Sequence, residues 1–376
     1  MISLYIHIPF CLAKCRYCDF PSIAAKKDTY PAYVSALCKE IKLRHQQASP
    51  LKADTVYFGG GTPSLLSVNS IATILTTLKT SYDLSPDAEI TLEANPGTVD
   101  LPKLQALRKL GINRLSFGVQ ATQDFLLKLL GRIHTLADTK EAITAAKKAG
   151  FQNISLDLMY GLPRQTLAML QESTAWALQQ EPQHISIYGL QIEPGTPFAQ
   201  MQKEGCLPLP DEDTVETMYD FITTTLPQHG FERYEIANFA RHGFASRHNL
   251  AYWQDKAYLG FGCAAHSYYN FQRTYNTHNV YEYIRSCNNN ALPVFEEEKF
   301  DNQTWMEEFC FLALRTARGI DKKKFQENFH RSIHDVYGKN INMLLTQKLL
   351  KENDAYLFLT PAGMKLGNIV FEKFLL

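Results

Sequence analysis

Three cysteines stand near the amino end, in HIPFCLAKCRYCDF: Cys11, Cys15 and Cys18, spaced C-x3-C-x2-C. Three thiolates on one short stretch can bind a metal centre. A structural zinc is usually closed by four ligands, either four cysteines or three with a histidine. His7 is the nearest fourth candidate, but it alternates with Ile6 and Ile8 inside an apolar run. A strand residue so placed has little reach into the loop that follows. A [4Fe–4S] cluster normally takes four cysteines, one per iron. Supplying only three leaves one iron open, as a catalytic zinc keeps an open position. Three unrelated buried cysteines fit poorly with Lys14, Arg16 and Asp19 on the same stretch. The other five, Cys38, Cys206, Cys263, Cys287 and Cys310, are scattered and read as small buried apolar side chains. An open iron offers a place for a small chelating ligand. The amino and carboxylate groups of S-adenosylmethionine (SAM) suit it, with the sulfonium beside a low-potential cluster that can pass one electron.

Such a loop has to be held by something. The runs SLYIHI, DTVYFGG, EITLEAN, RLSFGVQ, ISLDLMYG and HISIYGLQI are rich in β-branched and aromatic residues and end near Gly, Pro or polar groups. Helix-period segments alternate with them, among them YPAYVSALCKEIKLRH, SVNSIATILTTLKTSY and TVETMYDFITTTL. Six βα units in a row predict a parallel sheet with right-handed crossovers. The working surface of such a sheet lies at the carboxyl ends of its strands. The cysteines follow the first strand, so they fall on that surface. GGGTP (59–63) follows the second strand, where glycines let the backbone approach a ligand closely and present carbonyls to an ammonium. Glu93 ends the third strand, Gln120 ends the fourth, Arg132 lies beyond it, and Asp157 is within the fifth.

In order along the chain, HIPFC-x3-C-x-YCDF, GGGTPS, LEANPG, SFGVQ and DLMYGLP resemble the HemN/HemW family of the radical SAM superfamily. The resemblance runs from Tyr5 to about Gly363. It implies an α/β fold: a partial (β/α)6, TIM-like radical SAM barrel with a mostly helical, winged-helix-like C-terminal domain. The expected boundaries are 1–235 for the barrel, 236–300 for an aromatic and His-rich extension, and 301–376 for the C-terminal domain. The resemblance further implies that Cys11, Cys15 and Cys18 hold a [4Fe–4S] cluster. It places SAM against Tyr5, Tyr17, Gly60, Gly61, Thr62, Glu93, Gln120, Arg132 and Asp157, with Tyr17 near the adenine.

Two features select a branch. The oxygen-independent coproporphyrinogen III dehydrogenases of this family resemble C-x3-C-x2-C-x-C, and here the last position is Phe20. The stretch HNLAYW (248–253) matches the H-N-x-x-Y-W signature of the heme chaperone branch, whose histidine is linked to heme. An imidazole is a common axial ligand for heme iron, so His248 is the expected heme residue and His266, in CAAHSYY, the second candidate. Read from spacing alone, His248 is rather a hydrogen-bonded core or loop residue, and it is the resemblance that makes it the heme residue. The leading expectation is a protein that binds heme and hands it to a respiratory acceptor. The alternative is radical SAM oxidative decarboxylation of coproporphyrinogen III, a propionate losing carbon dioxide to leave a vinyl group. A flavodoxin or ferredoxin is the expected electron donor if the centre is redox-active.

Bulk composition is consistent with this. The 376 residues are 45% hydrophobic, and 38 basic residues balance 38 acidic ones. That balance speaks against a dedicated nucleic-acid binder, despite Lys322, Lys323 and Lys324 in the winged-helix-like tail. MISLYIHIPF lacks the basic and long apolar regions of a secretory signal. No apolar run reaches membrane-spanning length. The expected location is the cytoplasm, with peripheral contact to membrane enzymes where a heme acceptor resides.

Overall fold

The computed structural model describes residues 1–24, 27–47 and 51–376. Six parallel strands form its centre: β1 (Ile2–Ile8), β2 (Lys52–Gly60), β3 (Asp83–Ala94), β4 (Arg114–Gln120), β5 (Ile154–Tyr160) and β6 (His184–Gly189). Neighbours pair in sequence order, in register from Tyr5 against Tyr57 to Tyr160 against Gly189. Intervening helices are set by local chemistry. Helix Val68–Ser81 starts on a Ser67 cap, and Leu101–Leu110 starts on Asp100 and stops at Gly111 in the left-handed region. The sixth predicted strand is shorter than expected: it ends at Gly189, where the bond from Leu190 N–H to the Tyr160 carbonyl is the last of the ladder.

The sheet does not stop at six strands. β7 (Glu232–Arg233) and β8 (Asn238–Ala240) add antiparallel to β6. On the other edge β9 (Tyr258–Phe261) pairs parallel to β1. β10 (His266–Tyr269), β11 (Gln272–Asn276) and β12 (Val294–Lys299) continue antiparallel beyond it. The aromatic stretch after residue 235, which shows little periodicity, thus supplies five strands of the sheet beside helices Arg247–Trp253 and Val280–Asn288. Its pairing partner, β1, is some 250 residues away and leaves no local signature.

One apolar core joins strands and covering helices, with Leu4, Leu37, Phe58, Leu92, Phe117 and Phe261 all fully buried. A separate core holds the carboxyl-terminal part, where Phe309, Phe325, Tyr337 and Leu357 pack under a three-stranded sheet. Helices Asn302–Leu314, Lys322–Phe329 and Ile333–Thr346 precede a hairpin of Leu350–Glu352 and Tyr356–Leu359, the winged-helix order. The three tail lysines are engaged within the chain. Lys322 pairs with Glu352 at 2.8 Å, Lys323 faces Glu327 at 3.7 Å, and Lys324 donates to the Gln254 carbonyl at 3.1 Å. Among the described residues, no helix is long and apolar enough to cross a membrane.

Candidate functional site: a cysteine loop at the barrel mouth

The segment after β1 folds back on itself. Phe10 bridges to Ile23, Cys18 N–H donates to the Cys15 carbonyl, and Arg16 N–H donates to the Leu130 carbonyl at 2.9 Å. The loop therefore lies across the carboxyl ends of the strands. Cys11, Cys15 and Cys18 all face a cavity of about 390 Å³, and none is in a disulfide. That size suits a small-molecule ligand. Among the described residues, no three His, Cys, Asp or Glu side chains converge on a single metal ion. Three thiols on one loop fit a multi-iron cluster, in which each thiolate binds a different iron. His7 is unavailable as a fourth ligand. Its Nε2–H donates to the Pro21 carbonyl at 2.8 Å, which leaves Nδ1 to accept from the Tyr5 hydroxyl at 3.0 Å.

A polar strap fixes two of the thiols. Arg132 Nη1 donates to Cys15 Sγ at 3.7 Å, and its Nη2 donates to the Gly118 carbonyl at 2.8 Å and to Asn95 Oδ1. Asn95 Nδ2 donates to Thr62 Oγ1 at 2.9 Å, and the Thr62 hydroxyl reaches Cys11 Sγ at 3.7 Å. Burial, with the other two cysteines adding to it, pushes the Cys18 thiol up to about 11. Binding iron there releases a proton.

The glycines act by close approach. A Cβ on Gly61 would stand 2.7 Å from the Phe10 carbonyl oxygen and 3.0 Å from Cys11 Sγ, and Gly60 has φ of +112° with the His7 ring where a Cβ would be. A β-bulge between Gly118 and Gln120, with Gln120 at φ +66°, turns that side chain into the cavity. Glu93 accepts from the Tyr57 hydroxyl at 2.7 Å and from Gly60 N–H at 3.2 Å. Burial nevertheless pushes its carboxyl up to about 7. Asp157 is also raised by burial and accepts from Ser116 at 3.1 Å. Tyr17 borders the same cavity.

The Glu93 shift has a signed consequence. Between about pH 4.5 and 7 the folded protein keeps a proton that the unfolded chain has released, so this group's contribution to stability falls as pH rises. Over that window the loss is about 3 kcal/mol. In cluster-free, SAM-free protein, the stability difference between wild type and Glu93→Gln should therefore change by that order between pH 5 and 8, as read by urea unfolding. A difference that does not vary with pH contradicts the assignment.

Two of the expected site residues lie elsewhere. Tyr5 is stacked on Tyr57 and borders a second cavity rather than the cysteine cavity. His248 is 1% exposed. Its Nδ1 meets the Thr55 hydroxyl at 2.8 Å, its Nε2 meets the Tyr252 hydroxyl at 2.9 Å, and the ring stacks on Tyr57 at 4.9 Å. Both nitrogens of His248, the expected heme residue, are therefore occupied, and burial lowers its pKa to about 3. The helix that carries it, Arg247–Trp253, starts on a Ser246 cap, and buried Glu89 accepts from the Arg247 and His248 N–H groups at 3.2 and 3.1 Å. Asn95, Tyr57, Arg114 and Ser186 also line the cysteine cavity. Sequence reasoning passed over them. Asn95 sits inside LEANPG and Tyr57 inside the second strand run, so position near a strand end was an available signal for both.

A loop of three free cysteines over a (β/α)6 mouth, with polar groups from successive strands beneath it, defines a radical SAM barrel. The radical SAM superfamily model matches residues 5–177, and the HemN C-terminal domain model matches residues 300–366. The structure resembles coproporphyrinogen III oxidase (HemN) from Escherichia coli, described as a radical SAM enzyme, with a TM-score of 0.88 over 99% of this chain and 89% of that one. Identity there is 22%, so the likeness establishes the fold. Heme chaperone HemW of Bacillus subtilis is 38% identical, covering 100% of this chain and 99% of its own length. Heme chaperone HemW of Synechocystis is 40% identical over 97% of this chain and 94% of its own length. The chain belongs to the HemW family of radical SAM proteins. Membership implies a [4Fe–4S] cluster and SAM, and the free thiols with the cavity beneath them fit both.

Proposed function

We propose that this protein is a heme chaperone that binds heme and passes it to an acceptor protein. The observation that carries this reading is the end-to-end likeness to proteins named heme chaperone HemW. Cys11, Cys15 and Cys18 would hold three irons of the cluster. Gly60 and Gly61 leave room for the backbone to meet a ligand's ammonium, and Glu93, Gln120, Arg132 and Asp157 supply the charged and polar contacts around it. Tyr17 flanks the ring system of the same ligand. When bound, the SAM-ligated cluster supplies one-electron chemistry at the sulfonium. In the chaperone reading its occupancy sets the state in which heme is held or released. The acceptor is a respiratory heme protein, met in the cytoplasm or at the membrane face, and a flavodoxin or ferredoxin is the matching reductant.

Anaerobic heme titration of cluster-reconstituted protein tests this. Saturable binding near one heme per chain, followed by transfer to an apo-acceptor, is the expected result. Absence of saturable binding, together with SAM-dependent turnover of coproporphyrinogen III, would replace the chaperone reading with the dehydrogenase one.

A further inference from the structure

A second cavity, of about 410 Å³, lies between the β9–β11 edge of the sheet and helix Asn302–Leu314. Its walls are largely aromatic, including Tyr5, Phe20, Trp253, Tyr258 and Tyr268. Flat aromatic walls bury a planar apolar ligand well. Phe20 is 60% exposed and borders both this cavity and the cysteine cavity. The residue that stands in place of the dehydrogenases' fourth cysteine is therefore the partition between the two.

Two histidines reach this space. His7 has both nitrogens engaged, by Tyr5 and by the Pro21 carbonyl. His266, the first residue of β10, is exposed, its ring set edge-on to Tyr275 at 4.3 Å. Among the described residues, no hydrogen bond holds its ring nitrogens. An imidazole whose nitrogens have no hydrogen-bonded partner is a competent metal ligand. Lys256 and Arg273 stand on the lining as partners for carboxylates, with Arg273 already shared with Glu308 at 2.7 Å. Trp253 Nε1 is buried with no hydrogen-bond acceptor, a free donor beside the cavity.

We propose that this aromatic cavity is the heme seat, with His266 as the axial iron ligand, and that His248 is a structural plug of the barrel floor. The assignment rests on the heme-binding reading above. The iron bonds to a histidine nitrogen with no competing partner. The porphyrin lies against Tyr258, Tyr268 and Phe20, and its propionates face Lys256 and Arg273. The HNLAYW segment contributes through Tyr252 and Trp253, which line the cavity, while its histidine is buried against Thr55 and Tyr57.

The test is an anaerobic titration with hemin on cluster-reconstituted, full-length protein, read by Soret absorbance and by electron paramagnetic resonance. His266→Ala should raise the heme Kd at least about tenfold. It should also change the coordination signature, with added imidazole restoring it. His266 is exposed, so this variant is expected to fold as wild type does, which circular dichroism checks. His248→Gln should lower the melting temperature yet keep the wild-type heme spectrum. An unchanged Kd and spectrum in His266→Ala would overturn the assignment while leaving the chaperone reading standing. Loss of the wild-type spectrum in a folded His248→Gln protein would do the same. Absence of heme binding by wild type would instead remove the reading beneath it.

Discussion

Cys15→Ala is expected to abolish cluster assembly in a protein that still folds. The loop's shape does not depend on the thiol. Main-chain bonds from Cys18 N–H to the Cys15 carbonyl, from Arg16 N–H to the Leu130 carbonyl and from Cys11 N–H to the Ile23 carbonyl survive the substitution. What disappears is one of three thiolates and the sulfur that accepts from Arg132. With two cysteines left, two irons of a four-iron cluster would lack protein ligands. Reconstituted protein should fall from about four irons per chain to less than about a tenth of that. Acid-labile sulfide and visible absorbance should fall in parallel. Cys206→Ala is the comparator, because Cys206 is exposed and lies outside the cavity lining. Equal iron and sulfide in Cys15→Ala and wild type would sink the cluster assignment.

Arg114→Met carries the largest expected cost in stability. Arg114 is fully buried at the start of β4, and its side chain lines the cavity floor. Burial opposes its charge, but Glu89, Tyr57, Tyr234 and Asp157 around it outweigh that. Glu89 is buried and Asp157 half-buried, and Glu89 anchors the start of helix Arg247–Trp253. Removing this buried cation takes away its coulombic support for those carboxylates, which costs up to about 3 kcal/mol. Urea unfolding should show a midpoint shifted down by that amount with an unchanged slope. Adding Glu89→Gln should recover part of the loss, because Glu89 is the foremost charge acting on Arg114. A single variant less than about 1 kcal/mol below wild type would show that the carboxylates do not need this cation.

The two variants probe parts of the molecule that differ in how they are encoded. The cysteine loop and the first six strands are written locally. Strand runs alternate with helical periods, caps such as Ser67 and Asp100 mark helix starts, and C-x3-C-x2-C occupies one stretch after one strand. Because active groups of a parallel α/β sheet gather at strand ends, Glu93, Gln120 and Asp157 were legible from their positions, and all three line the cavity. Only the tertiary structure decided the rest. β9 joins β1 across most of the chain, which no periodicity announces. Arg114 comes under the influence of carboxylates from β3 and β5 only in the folded chain, where it is buried. The contrast is sharpest for the two histidines. Both sit in aromatic-rich stretches and look alike as ligand candidates. His248 is capped by Thr55, 193 residues away, whereas His266 is left open to a cavity. A histidine's capacity to bind metal depends on whether its nitrogens are already bonded, and those partners come from distant segments that only folding brings together.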